Sequence, residues 1–350
     1  MKRSIQIFKY LLFVGLGAGL LVLAFQGQDL ELILREFARV DYAWIVLSIA
    51  MGIASHFSRA LRWNMIIKPL GYRVAPRNSF YAVMVGYLAN LAVPRMGEVS
   101  RCVVLSRVSK VPTQKLFGTV LVERAIDLLC LMFLFLLTLV VEFNVIWEFV
   151  STRLLKTFYR KGTSVGGGGD LFLLLIVLGV MVVGLGLLYI IWQKSYKLRA
   201  KVRTLISEVR EGLTSIGRLD NYPLFLLHTS FIWVMYYLMG YVVFFSMEVT
   251  SDLDAGTALS TFCLGGLGFA APVQGGIGAF HWMVSEGLKL YGIPEDKGLV
   301  FATILHGAQI VMMLVVGSFS LLMLMLHNRK LRPAEALHPT TPDVDEIASP

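Results

Sequence analysis

The chain has 350 residues, of which 56% are hydrophobic and 16% charged, against roughly 25% charged in a soluble domain. Its mean hydropathy is +0.70, and a soluble fold of this length has too little interior to hide that much apolar surface. A water-soluble globule, a disordered chain and a disulfide scaffold are therefore excluded, and the net charge of +9 lies in short loops beside apolar blocks, a pattern of membrane topology rather than of nucleic-acid binding.

The apolar blocks show no period-2 alternation, so they predict helices and not barrel strands. Lys2, Arg3 and Lys9 precede the apolar run 10–25. No small-x-small cleavage site follows, so this predicts an uncleaved first helix (8–25) with its N-terminus in the cytoplasm. Gly15 and Gly19 give it a GxxxG face. A mixed loop with Asp29, Glu31, Arg35, Glu36, Arg39 and Asp41 follows outside. A second helix (43–67) returns to Lys68, Arg73 and Arg77 on the cytoplasmic side. Arg62, near its end, is expected to snorkel to that surface. Arg59 and His56 lie deeper and are second-tier site candidates.

Residues 79–93 are apolar but short for a span, which needs about twenty residues. They end in Pro94-Arg95-Met96-Gly97-Glu98, and a second short segment leads to Arg107, Lys110 and Lys115. Both flanks of this unit are basic. A re-entrant hairpin (79–109) with its tip near Pro94 satisfies both; a single crossing does not. A helix at 116–142 crosses outward to an external loop (143–170) containing the glycine run 166–169. A helix at 171–192 crosses inward to a basic amphipathic stretch (194–218), read as an inner-surface helix or a solvated linker helix. A helix at 222–247 leads outward to Glu248, Asp252 and Asp254. Segment 257–271 is again short and ends in Pro272-Val273-Gln274-Gly275-Gly276-Ile277-Gly278. Its flanks are not basic, which predicts a second hairpin (257–291) entering from outside. The last helix (298–326) crosses inward to a polar tail (327–350) expected to be disordered.

The fold class predicted is an all-α polytopic membrane protein with about six spanning helices and two re-entrant hairpins in an inverted repeat (1–142 and 171–326). Ala92-Val93-Pro94-x-x-Gly97 matches Ala270-Ala271-Pro272-x-x-Gly275. Paired, Pro/Gly-interrupted segments of this kind point to a transporter site near the bilayer midplane. The half-helices starting near Gly97 and Gly278 would turn positive dipole ends toward the tips, with Arg95 adding charge. Glu123, Arg124 and Asp127 lie inside a spanning helix, where each charge costs about 2.5–3.5 kcal/mol; Arg95 and Arg101 are the partners expected for the acids. His281, Glu286, His306 and Gln309 are the polar inserts of the second half; His281 and His306 are candidates for the substrate site and Gln309 a second-tier one, with His306 placed about where Arg124 sits in the first half. Cys102, Cys130 and Cys263 have no metal or redox spacing. Asp252-x-Asp254 reads as a topology signal. No nucleotide-binding, zinc-protease or serine-hydrolase motif is present. No metal, cofactor or catalytic residue is expected.

The motifs Asn90-Leu91-x-x-Pro94-x-x-Gly97-Glu98-x-x-Arg101, Glu123-Arg124-x-x-Asp127 and Pro272-x-x-Gly275-Gly276-Ile277-Gly278 resemble the lysylphosphatidylglycerol synthase transmembrane family of flippase-like membrane proteins. The resemblance runs nearly to residue 326. It implies a bacterial cytoplasmic-membrane translocase for an anionic lipid, with Gln274 joining these motifs in the substrate site. Relatives fused to a synthase domain move lysyl-phosphatidylglycerol. This sequence has no aminoacyl-transfer domain, so lysylation is not expected, and it carries His281 where many relatives have Glu after the Gly-Gly-Ile-Gly block, which argues against a lysylated headgroup as its substrate. The partner expected is an anionic lipid headgroup, not nucleic acid; a homo-oligomer is left open. The rival readings are a lipid-modifying membrane enzyme and a non-transporting scaffold.

Overall fold

The structure is a computed structural model that describes residues 30–93, 96–143, 145, 221–271 and 273–336. The expected first helix, the Gly-rich loop, the helix at 171–192, the amphipathic stretch and the end of the tail lie outside the described residues, as do Pro94, Arg95, Pro272 and the Gln274 side chain. The described residues form helices and no strands.

Helix α1, Leu30–Arg39, occupies the segment expected to be a loop. Its charges are spaced for a helix: Arg35 reaches Glu31 one turn back at 2.6 Å. Helix α2, Tyr42–Ile67, starts where the Asp41 carboxylate accepts the Ala43 N–H at 3.0 Å. Helix α3, Pro76–Ala92, begins with proline at its first turn, where the missing N–H costs nothing. It stops because Val93 precedes a proline and is driven to extended backbone, φ −139° and ψ 120°. Helix α4, Gly97–Ser109, leads to α5, Thr113–Val141.

The description resumes at residue 221. Helix α6 is Tyr222–Phe244 and α7 is Ala255–Ala270. Asp254 caps α7 through the Thr257 N–H and hydroxyl, both at 2.8 Å, and these donors hold its carboxyl below the usual carboxylate range. Ala271 turns extended before Pro272 (ψ 145°), as Val93 does before Pro94. A 3₁₀ turn, Gln274–Gly276, follows, with Gly275, Gly276 and Gly278 all at positive φ (60°, 75° and 82°), where a side chain would be strained. Helix α8, Ala279–Lys289, and α9, Glu295–Ala336, complete the described residues. Helix α9 runs ten residues past its expected end at 326, so the start of the tail is helical rather than disordered.

Among the described residues, four helical stretches are long and apolar enough to cross a membrane: Tyr42–Leu70, Thr113–Val141, Tyr222–Phe244 and Glu295–Leu326. Their outward faces stay apolar, with Phe133 and Val140 of α5 and Val315 and Phe319 of α9 all exposed, as lipid-facing surfaces require. Helix α2 packs along α6, α3 along α4 and α9, and α8 along α7 and α9. Two cores result. One joins Trp63, Ala82, Cys102, Leu105, Leu116 and Val120 in the first half. The other joins Phe244, Phe280, Val284, Leu288 and Phe301 in the second.

Each helix pair at a tip closes on glycine. A Cβ on Gly97 would lie 2.6 Å from the Gly86 carbonyl oxygen, and one on Gly268 would lie 2.6 Å from the Phe280 Cα. The backbones meet where no side chain intervenes, which draws α3 onto α4 and α7 onto α8. The three cysteines are free; Cys102 and Cys263 are buried core residues, and Cys130 is half-buried.

Candidate functional site: a buried arginine cluster beside an internal cavity

Helix α5 places Glu123 and Asp127 one turn apart on its inner face. Glu123 is fully buried, at 0% exposure. Its carboxylate is 2.8 Å from Arg101 of α4, 3.3 Å from Arg62 of α2, and 3.4 Å from both Arg59 of α2 and its neighbour Arg124. Asp127 lies 2.7 Å from Arg62, 2.8 Å from Arg124 and 3.0 Å from Arg59. Four guanidiniums thus surround two carboxylates, a formal excess of two positive charges inside the protein. In all four arginines the Nε is buried and has no hydrogen-bond partner. Buried charge persists only when paired; this cluster pairs its acids fully and leaves its cations short.

The expected Arg101–Glu123 pair is present. Arg62 corrects the sequence reading. It does not snorkel to a surface; its side chain is 0% exposed and holds both acids, with Thr229 of α6 at 3.4 Å. Arg59 and Arg62 are three residues apart and share one helix face, so the turn that brings one to α5 brings the other. Tyr87 and Tyr236 are also site residues that the sequence did not mark. Arg59 donates to the Tyr87 hydroxyl at 2.9 Å and lies over the Tyr236 ring at 5.6 Å, and the two hydroxyls are 3.3 Å apart. His56 packs against both rings, with centroids 4.4 and 6.0 Å away, and neither ring nitrogen has a partner.

Arg124 is the one arginine of the cluster with a half-open side chain, 39% exposed. It borders two spaces. A small pocket of about 70 Å³ is walled by Arg59, Tyr87, Asn90, Glu98, Arg101 and Arg124. A larger cavity of about 960 Å³ brings Tyr87, Asn90, Glu98 and Arg124 from the first half to Phe269, Gly275, Gly276, His306 and Gln309 from the second. The tip regions of the two short helix pairs meet there: Leu91 of α3 is in van der Waals range of a Cβ built on Gly275. His306 and Arg124 line it from α9 and α5. His281 is close by; its ring centroid is 5.0 Å from that of His306.

The free half-helix ends expected from the sequence are partly used by the chain itself. The Gly97 N–H donates to the Asn90 side chain at 2.6 Å, and the Gly278 N–H donates to His281 Nδ1 at 3.3 Å. Glu98 already places a carboxylate in the first turn of α4. The positive character of the site therefore comes from guanidiniums more than from helix ends. Glu286 pairs with Lys289 at 2.6 Å and does not line the cavity. Among the described residues no three His, Cys, Asp or Glu side chains gather as a metal site.

A helical polytopic membrane protein with a cation-rich cluster walled behind an internal cavity is the class these observations define. The chain belongs to the lysylphosphatidylglycerol synthase transmembrane-region family, which it matches over residues 6–317. It is 30% identical over 152 residues to a UPF0104 membrane protein of the archaeon Methanocaldococcus jannaschii; that match covers 43% of this chain and 44% of the relative. The chain thus spans less than half of that relative's length. No solved structure matches it.

Proposed function

We propose that this protein is a flippase-like transporter that moves an anionic phospholipid, or another lipid-linked phosphate, across a bacterial cytoplasmic membrane with both chain termini on the cytoplasmic side. The observation that carries this reading is the excess of two positive charges in the cluster, with Arg124 opening onto a cavity of about 960 Å³. That volume lies in the range of small-molecule sites, about 300–1,000 Å³, and a phosphodiester matches the fork of a guanidinium. When the site is empty, Glu123 and Asp127 hold the arginines. An arriving phosphate competes with Asp127 for Arg124. Part of one charged contact is then exchanged for another, so loading and release have similar free energies, which a carrier needs.

Helices α3, α4, α7 and α8 have 17, 13, 16 and 11 residues, all short of the ~20 needed to span a bilayer. We read the two pairs as re-entrant hairpins of an inverted repeat. The packing partners support this, because exchanging the halves maps most contacts onto one another: α2–α3 onto α6–α7, α4–α5 onto α8–α9, and α3–α9 onto α7–α5. Rocking of such halves about a shared cavity gives alternating access.

The test is transbilayer movement of acyl-labelled anionic phospholipid in proteoliposomes, read by dithionite quenching from outside. Wild type moves the lipid, and Arg124→Gln slows it more than tenfold while keeping a cooperative thermal transition. Wild type that moves no anionic lipid, or that alters the lipid covalently instead, refutes the proposal.

A further inference from the structure

The cavity has two chemically different walls. Arg124 and Glu98 stand on the first-half side. On the second-half side, Gln309 and His306 are buried, 6% and 2% exposed, and short of partners. Both Gln309 Oε1 and Nε2 lack a hydrogen bond, and so does His306 Nδ1. The other nitrogen of His306 engages the Gly275 backbone. Gln309 also walls a second chamber of about 100 Å³, where the buried Thr261 hydroxyl is unpartnered as well. Because Gln309 borders both spaces, rotation about its own torsions presents the amide to either.

We propose that this wall is a second subsite that selects a hydroxyl-bearing headgroup, a phosphate ester of a polyol or sugar, on the lipid held by Arg124; the inference rests on the transport reading above. The orphaned atoms include both donor and acceptor: the Gln309 NH₂ donates, and its carbonyl accepts. The oxygens of an ionised phosphodiester only accept and an ammonium only donates, so neither satisfies both. A hydroxyl does both at once. An ammonium headgroup also lacks a counter-charge on this wall, where no carboxylate stands among the described residues. Glu98 is on the opposite wall, where Arg124 and Arg101 would repel the cation. Sites that hydrogen-bond a substrate hydroxyl reject the analogue lacking it far more strongly than apolar pockets reject a missing methylene.

The experiment compares three acyl-labelled lipids in the same proteoliposomes: phosphatidylglycerol, phosphatidylethanol with the same phosphodiester charge but no hydroxyl, and phosphatidylethanolamine. Wild type is expected to move phosphatidylglycerol at least about tenfold faster than phosphatidylethanol, the equivalent of one well-made hydrogen bond, and phosphatidylethanolamine more slowly still. Gln309→Leu is expected to bring the first ratio toward one. Millimolar inorganic phosphate outside the vesicles should leave the ratio standing; if it abolishes movement of all lipids, the site is one for free phosphate and the inference fails. Equal movement of the two anionic lipids by wild type, or a ratio that survives Gln309→Leu, overturns the second subsite while the transport reading stands. Movement of no anionic lipid at all overturns both. The wild-type ratio decides the matter even if the variant does not fold.

Discussion

Glu123→Gln tests whether the cluster is cation-rich in the way its geometry implies. Gln keeps the shape of the side chain and removes its charge, so the four arginines are left with Asp127 alone. At an effective dielectric near 20, two unit charges about 4 Å apart interact by ~4 kcal/mol, and Glu123 has four guanidinium nitrogens at 2.8–3.4 Å. Part of that loss is recovered as relief of desolvation, and breaking a buried pair by removing one partner typically costs about 3–5 kcal/mol. The upper end applies here, because the formal excess rises from two to three. Arg101→Gln acts in the opposite direction. It removes one contact to Glu123 but lowers the excess to one, so its cost should be about half as large. The double variant restores the original excess and should be more stable than Glu123→Gln alone, a coupling of at least about 1 kcal/mol. Cys102 and Cys263 are buried free thiols, so a thiol-reactive dye reports unfolding in detergent as they become exposed. The expected order of midpoints is wild type, Arg101→Gln, the double variant, Glu123→Gln. If Arg101→Gln is the more damaging single change, or the double variant melts below Glu123→Gln, the charge-excess argument is wrong.

Other expectations follow from the same geometry. Gly268→Ala should destabilise by about 1–3 kcal/mol through overpacking, since the new Cβ would meet the Phe280 backbone at 2.6 Å. Gly118→Ala, with nothing within 4 Å, should be neutral or stabilising by up to about 1 kcal/mol; equal thermal shifts for the two would discredit the close-approach account of the α7–α8 helix pair. Asp254→Ala should cost about 1 kcal/mol as a lost N-cap, and Asp254→Asn much less. Because the folded carboxyl of Asp254 is held low by Thr257, its contribution is present above the unfolded carboxylate pKa and is lost as pH falls through the folded value. The gap between wild type and Asp254→Ala should therefore narrow in acid and be constant from pH 6 to 8. Single cysteines at Arg107 and Asp252, in a background without the natural three, should label from opposite sides of the membrane; labelling from one side refutes the inverted arrangement.

The parts of this fold that were legible from sequence are those set by local chemistry. Pro94 and Pro272 each force the preceding residue out of helical backbone, so the ends of α3 and α7 could be placed within a residue or two. The pairing of Glu123 with Arg101 was also legible, because two acids one turn apart in an apolar helix need cations and Arg101 was near in sequence. Arg62 was misread because its place, near a helix end and followed by Lys68, fits snorkelling as well as pairing. The distinction lies in angle rather than depth: Arg62 is one turn from Arg59 on the same face, so a helix that buries one guanidinium against α5 buries both. Charge counting along α2, α4 and α5 points the same way. Two acids inside the apolar helix α5 face more arginines than they can neutralise, and that imbalance is already present in the order of residues.

What the sequence could not show is where that imbalance ends. Charges of one sign inside a membrane repel unless something neutralises them, and the chain supplies no third acid to the arginines among its described residues. Glu98 stands in the small pocket with Arg101 and Arg124 but pairs with neither. If it served only to balance the cluster, Glu98→Gln would weaken folding much as Glu123→Gln does. If instead a bound anion completes the balance, Glu98 is a repulsive element that keeps the anion exchangeable. Glu98→Gln should then leave the melting midpoint within about 0.5 kcal/mol of wild type, as expected for a half-buried side chain outside the ion-pair cluster. It should tighten binding of an anionic lipid by about tenfold and slow its release. A melting loss comparable to that of Glu123→Gln, with no gain in lipid binding, would place Glu98 among the structural acids and remove the need for an external anion.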